Sequence, residues 1–238
     1  RIESKAFKNC SSLKQIIIPS NITIIEPYTF FGCKSLGSVE LPSNLSSIGD
    51  FAFSRCRSII DIFLPSKIKS IGKNCFSYCS SMIEIKIPSS ITSISECMFY
   101  SCDLLKKVTL PSSIESIENC AFFDCSSLTE IEIPDSVDYM GPEAFSECSS
   151  LVSIKISSSL EKIEESCFAQ CSKLQKIEIP SSVLAINDSA FFDCPLLAEV
   201  SFYTSISYIG EYAFAKCASL LEVTIPKSVV FSSNSFPK

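Results

Sequence analysis

The sequence predicts an α/β solenoid, a curved horseshoe of about ten 23-residue units forming a single domain over residues 1–238. A parallel β-sheet is expected on one face, with short helical turns or extended segments on the other. Three observations carry this. Phenylalanine recurs every 23 residues at Phe7, Phe30, Phe53, Phe76, Phe99, Phe122, Phe145, Phe168, Phe191 and Phe214. Three places after each stands a cysteine: Cys10, Cys33, Cys56, Cys79, Cys102, Cys125, Cys148, Cys171, Cys194 and Cys217. Third, a proline closes most units at one fixed place, and no insertion or deletion breaks the register. Units this small cannot bury an apolar face alone; each must cover it with its neighbours.

The first element of a unit is a short strand. In the unit that begins at Ala121, the apolar residues Leu128, Ile131 and Ile133 bracket Glu132 in strand-like alternation. Pro134 ends it, because proline cannot donate to a strand ladder. Pro19, Pro42, Pro65, Pro88, Pro111, Pro180 and Pro226 recur at the same place, with Ser157 and Tyr203 as replacements. Strands that stop together, one per unit, should stack in parallel, and the rest of the unit supplies the long crossover that parallel pairing needs. Ten such strands would make an arc about 45–50 Å long.

A second apolar pair follows, such as Ile91 with Ile94 or Ile114 with Ile117. We expect a short strand or extended piece here, then one turn of α or 3₁₀ helix. In that turn the Ala, Phe and Cys of the repeat share a face. Glycine before the turn (Gly49, Gly72, Gly141, Gly210) suits a tight bend, although Ser95, Glu118 and Asn187 occupy the place in other units.

Composition removes several function classes. The net charge of −6 and the lack of a basic cluster oppose nucleic acid as a partner. Histidine is absent, so the commonest general base and metal ligand is missing, and no serine has a histidine to activate it. Paired carboxylates such as Glu164 and Glu165 have no sheltering cleft in the pattern. We therefore expect no enzyme, no catalytic residue, no cofactor and no metal. No apolar run approaches the ~18 residues of a membrane span, so this segment is not expected to insert into a membrane. The chain begins in mid-unit and without methionine, as a piece of a longer protein would.

Fourteen cysteines invite a disulfide or zinc reading. Ten lie in one column within an apolar segment, where free cysteine packs as a small hydrophobe. Cys75/Cys79 and Cys167/Cys171 have zinc-like spacing, but Cys75 and Cys167 only replace the alanine of the repeat. Cys97 and Cys120 differ. They fall two places before their phenylalanines, in a column otherwise holding Lys5, Tyr28, Phe51, Asn74, Glu143, Ser166, Ser189 and Tyr212. Such variety implies partial exposure, and adjacent units bring the two within reach of a disulfide. A bond there would point to an oxidising compartment.

On the strand, the residues flanking the second apolar position point outward. They supply the expected partner-binding face, with Ile17, Glu40, Asp61, Phe63, Glu84, Lys86, Lys107 and Glu130 as candidates. The runs Glu84-Lys107-Glu130 and Glu132-Lys155-Glu178 alternate in sign along the stack, as laterally paired charges on a sheet do. Ile17 and Phe63 are the apolar exceptions on this polar face, and Phe63 with Ile60 and Ile83 beside it is a candidate contact patch.

The unit A-F-x-x-C-S-S-L-x-x-I-x-I-P-S-S-I-x-x-I-x-x-x, seen in Ala121–Glu143 and its copies, resembles the BspA-type leucine-rich repeat over nearly the whole chain. The serine-, isoleucine-, lysine- and cysteine-rich wording is similar to members from parasitic protists such as trichomonads. The resemblance implies a leucine-rich-repeat solenoid that recognises or adheres to host or microbial proteins at a cell surface or outside the cell. A cytoplasmic scaffold assembling other proteins is the other reading. The family offers no fixed set of binding residues to carry over.

Overall fold

The computed structural model describes residues 2–203 and 205–237. Each unit makes one circuit with three sides, and the chain advances by one unit per circuit. The first side carries the predicted strand: Gln15–Ile17, Ser38–Glu40, Glu84–Lys86, Lys107–Thr109, Lys176–Glu178 and Glu199–Ser201. These pair in parallel, two by two, in the register set by the 23-residue step, as in Gln15 with Ser38. The ladder is not the continuous ten-strand arc expected. Residues 61–63 form no paired strand, and Glu132 and Lys155 make only an isolated bridge. With three residues per strand, a small rotation of one unit is enough to break the pairing. The inward Ile62 and Leu64 stay buried all the same.

The second side carries a strand of two residues in every unit, from Ile24–Ile25 and Ser47–Ile48 through Tyr208–Ile209 to Val230–Phe231. Their parallel pairing runs in stretches of three and four strands, so the extended reading of this segment holds. Between the two sides the chain turns after proline, whose carbonyl accepts a hydrogen bond from the amide three residues on. Ile22 to Pro19 and Val137 to Pro134 are both 3.0 Å; with Ser157 or Tyr203 in place of proline the distance lengthens to 3.4 Å.

The third side corrects the helical expectation, for the described residues contain no helix. Two positions per unit hold the left-handed conformation, two places before and two places after the phenylalanine. The first row runs from Lys5 (φ 65°) through Phe51, Cys97 and Glu143 to Tyr212 (φ 57°). The second runs from Asn9 and Gly32 through Arg55, Asp124 and Gln170 to Lys216 (φ 62°). A left-handed residue costs roughly 1–2 kcal/mol and cannot sit inside a right-handed helix. Alternate amides explain why the conformation persists. Cys125 N donates back to Phe122 O (3.2 Å), closing a turn inside the unit, whereas Cys120, Phe122 and Asp124 donate to Pro142, Ala144 and Ser146 of the next unit at 2.8–3.0 Å. The third side is thus a lateral ladder made from turns.

The glycine before this turn is explained by close approach, since none of the four has positive φ. A Cβ on Gly72 would lie 2.5 Å from the backbone nitrogen of Asp50, whose carboxylate accepts the Lys73 amide at 3.0 Å. Asp188 does the same for Glu211 beside Gly210, at 2.8 Å.

The three sides enclose one continuous core. Phe30 to Phe214 are fully buried, and the rings stack at 5.1–5.9 Å with interplanar angles of 7–13°. Phe236 joins the column although it comes one residue early, its ring 5.4 Å from Phe214.

Candidate partner-binding face

The first side presents all eight candidate residues to solvent. Alternation along each strand sends Ile62 and Ile85 inward and Phe63 and Lys86 outward. Phe63 is 83% exposed and Ile17 68%. Ile17 lies beside Glu40, and Glu84 beside Lys107, as lateral partners. Phe63 and Lys86 line one open cleft of about 430 Å³ with Leu41, Leu64, Pro65 and Pro88. Lys107 and Glu130 line another farther along. Ile60 and Ile83, also exposed, stand beside each other, with the Ile83 amide donating to the Ile60 carbonyl at 2.9 Å. Ile17 and Phe63 lie two steps apart in the stack with the charged Glu40 between them, so they do not form one apolar patch.

Charge alternation on this face is lateral adjacency without close ion pairing. Among the described residues, Glu84 and Lys107 make no salt bridge, and Lys155 pairs with Asp135 at 3.4 Å, diagonally across the face from the Glu132 beside it. The Ser158 amide and hydroxyl, with Lys155, hold the Asp135 carboxyl below its ordinary value.

The cysteine column packs as expected and has a further role that spacing did not reveal. From Cys33 to Cys217, each Sγ donates to the carbonyl of the phenylalanine 26 residues earlier, at 3.0–3.3 Å. From Phe7 to Phe145 that carbonyl also accepts the amide of its own unit's cysteine. Burial pushes Cys33 up to about 11 and Cys148 up to about 12. Cys10 is exposed. Among the described residues, no group of three or more acidic or cysteine side chains is placed to hold a metal ion.

The turn side holds a surface the sequence reading missed. Tyr28 stacks on Phe51 at 4.8 Å and Tyr100 on Phe123 at 4.7 Å, while Arg55 lies over Tyr78 at 4.8 Å. The available signal was the recurrence of aromatics just after the column phenylalanine, at Phe31, Tyr100, Phe123 and Phe192.

The family model for the BspA type leucine rich repeat region matches residues 1–129 and 115–238. The chain belongs to the BspA-type leucine-rich repeat family. Several solved leucine-rich-repeat structures are similar to it. A leucine rich cell surface protein from Faecalibacterium prausnitzii shares 29% identity at a TM-score of 0.68, covering 98% of this chain and 73% of that one. The leucine-rich repeat protein of T. pallidum shares 33% identity at 0.60, over 62% of this chain and 69% of its own. One from Eubacterium ventriosum, at 20% identity and a TM-score of 0.63, covers 94% of this chain and 82% of its own, and shows the fold alone. No curated protein matches the chain. A BspA-type solenoid of this build is a repeat protein suited to protein interaction, and no helix among its described residues is long and apolar enough to cross a membrane.

Proposed function

We propose that this solenoid is a non-enzymatic recognition module that binds a host or microbial protein through its first side, at the cell surface, with Phe63 as anchor. The observation that carries the reading is Phe63 itself. The residue is 83% exposed beside an apolar cleft, in a unit that forms no paired strand on this side. A large aromatic held outward by a rigid scaffold loses little entropy on binding, and buried aromatics dominate interface energetics. Glu40, Asp61, Glu84, Lys86 and Lys107 would form the polar rim, where charges steer encounter more than they add affinity. The cell-surface assignment draws support from the similar Faecalibacterium protein, itself a cell surface protein.

The test compares the wild-type chain with Phe63→Asp in binding to intact epithelial and bacterial cells. Loss of a hot-spot aromatic should weaken binding by about 2 kcal/mol or more, roughly 30-fold. Leu184→Asp, at an exposed site on the second side, should bind as wild type. Equal binding by wild type and Phe63→Asp would place recognition elsewhere. Antibody staining of cells carrying the full gene checks location: a signal only after permeabilisation would favour the intracellular scaffold.

A further inference from the structure

Cys97 and Cys120 stand apart from every other cysteine of the chain. They are lateral neighbours in the first left-handed row, with φ of 53° and 54°. The Cys97 amide donates to the Asn119 carbonyl at 3.0 Å, which fixes Cys120 directly beside it. Both are partly exposed, whereas the cysteines from Cys33 to Cys217 in the main column are buried and tied to phenylalanine carbonyls. Neither Cys97 nor Cys120 has such a bond; Cys120 Sγ instead reaches Glu143 Oε2 at 3.8 Å.

We propose that Cys97 and Cys120 form a thiol–disulfide exchange site that takes small-molecule disulfides and closes reversibly into a bond between adjacent units. Neighbouring chains in a parallel ladder lie about 4.8 Å apart, inside the ~4.4–6.8 Å that the Cα atoms of a disulfide span. Both cysteines are partly exposed, so the closed form is readily reopened by a dithiol, as exposed bonds are.

The roles of the two thiols differ. Contact with Cys120 holds the Cys97 pKa below the ordinary thiol value; Lys73 acts in the same direction, while burial and the charges of Glu96 and Glu143 oppose it. Cys120 is pushed up by that same contact, by burial and by Glu143. The Glu143 carboxylate, 3.8 Å away, holds the proton on Cys120, so Cys97 attacks one sulfur of the small disulfide, whose S–S bond breaks and releases a thiolate. Cys120, as its thiolate, then attacks the Cys97 sulfur, forming the protein bond and releasing the second thiolate. The two cysteine protons end on the two released small thiols, and the protein gives up two electrons to the small disulfide. A second pair in contact, Cys194 and Cys217, is wholly buried, and each of its sulfurs donates to a phenylalanine carbonyl (3.2 and 3.1 Å), so the reagent does not reach it.

The experiment incubates the native protein with oxidised glutathione, caps the remaining thiols under denaturing conditions and maps peptides without reduction. Cleavage after Lys106 and Lys107 separates the two cysteines. We expect one linked peptide pair joining Cys97 to Cys120, two free thiols fewer besides any adduct on Cys10 (eleven in place of thirteen once Cys10 is replaced by serine), and full recovery with dithiothreitol. A Cys10→Ser background removes the exposed thiol that would couple molecules or carry its own adduct. In Cys120→Ser the glutathione adduct on Cys97 should accumulate, and in Cys97→Ser the adduct on Cys120 should form at least tenfold more slowly. Ser166 and Ser189 occupy the same row, so both variants keep a residue the position accepts. Stable adducts on both wild-type cysteines without a cross-link would overturn the proposal. So would an unreacted pair alongside a modified Cys10, or equal linkage of Cys194 to Cys217.

Discussion

At the scale of single residues, the phenylalanine column decides stability. Phe122 is fully buried between two parallel rings, Phe99 at 5.3 Å and Phe145 at 5.1 Å. Phe122→Ala should cost about 3–5 kcal/mol, the range for a large-to-small change in a core that cannot collapse. Chemical denaturation reads this directly, and a near-neutral result would mean the column contributes no packing. The column was legible because an apolar residue of one kind at an unbroken period has no other use than burial. The thiol-to-carbonyl bond was not legible: it joins a cysteine to a residue 26 places away, and a packed thiol and a donating thiol leave the same mark on a sequence. Phe63 was legible as an outward residue from alternation alone. The cleft beside it was not, because it is lined by residues of three successive units, from Leu41 to Pro88, whose spacing across the stack a linear pattern does not carry.

At the scale of elements, the turn side is where the sequence misled. Alanine, phenylalanine and cysteine at their spacing fit one face of a helical turn, and they fit two successive tight turns equally well. Left-handed residues usually announce themselves as glycine, yet these rows hold Lys5, Tyr28, Phe51, Cys97 and Glu143, with Gly32 the lone glycine. The conformation is imposed from the neighbouring unit, through bonds such as Gln170 N to Phe192 O at 2.7 Å. Gln170 is exposed and has φ of 60°. Gln170→Gly should therefore leave stability unchanged or raise it by up to ~1 kcal/mol, since relief of the left-handed penalty offsets the added freedom of the unfolded chain. Gln170→Val should lower it by about 1–2 kcal/mol, because a β-branched side chain tolerates this region worst. Thermal melts of the two variants give the order, and a valine variant as stable as the glycine one would contradict the assignment of strain to this row.

At the scale of the whole molecule, stability should fall away toward the two ends. Each central unit is bonded on both sides, while Phe7 is only partly buried, Cys10 is exposed and both residues of the Val230–Phe231 strand face solvent. In a stack held by nearest-neighbour contacts, outer units open first. Hydrogen exchange should show amides near Phe7 and Val230 exchanging well before those near Phe122, and equal protection along the chain would count against a nearest-neighbour stack. The stacking of Phe236 bears on a different matter. That ring takes its place after a step one residue shorter than the rest, so the column reads the arrival of a ring and the lateral bonds beside it, and is indifferent to the exact path in between. Among the described residues, each lateral bond joins a unit to its neighbour in the stack. The number of units is consequently a quantity that duplication or loss of a 23-residue segment can change without redesigning any contact. The reach of the molecule toward a partner can therefore lengthen or shorten by inheritance while the chemistry of each remaining unit stays as it was.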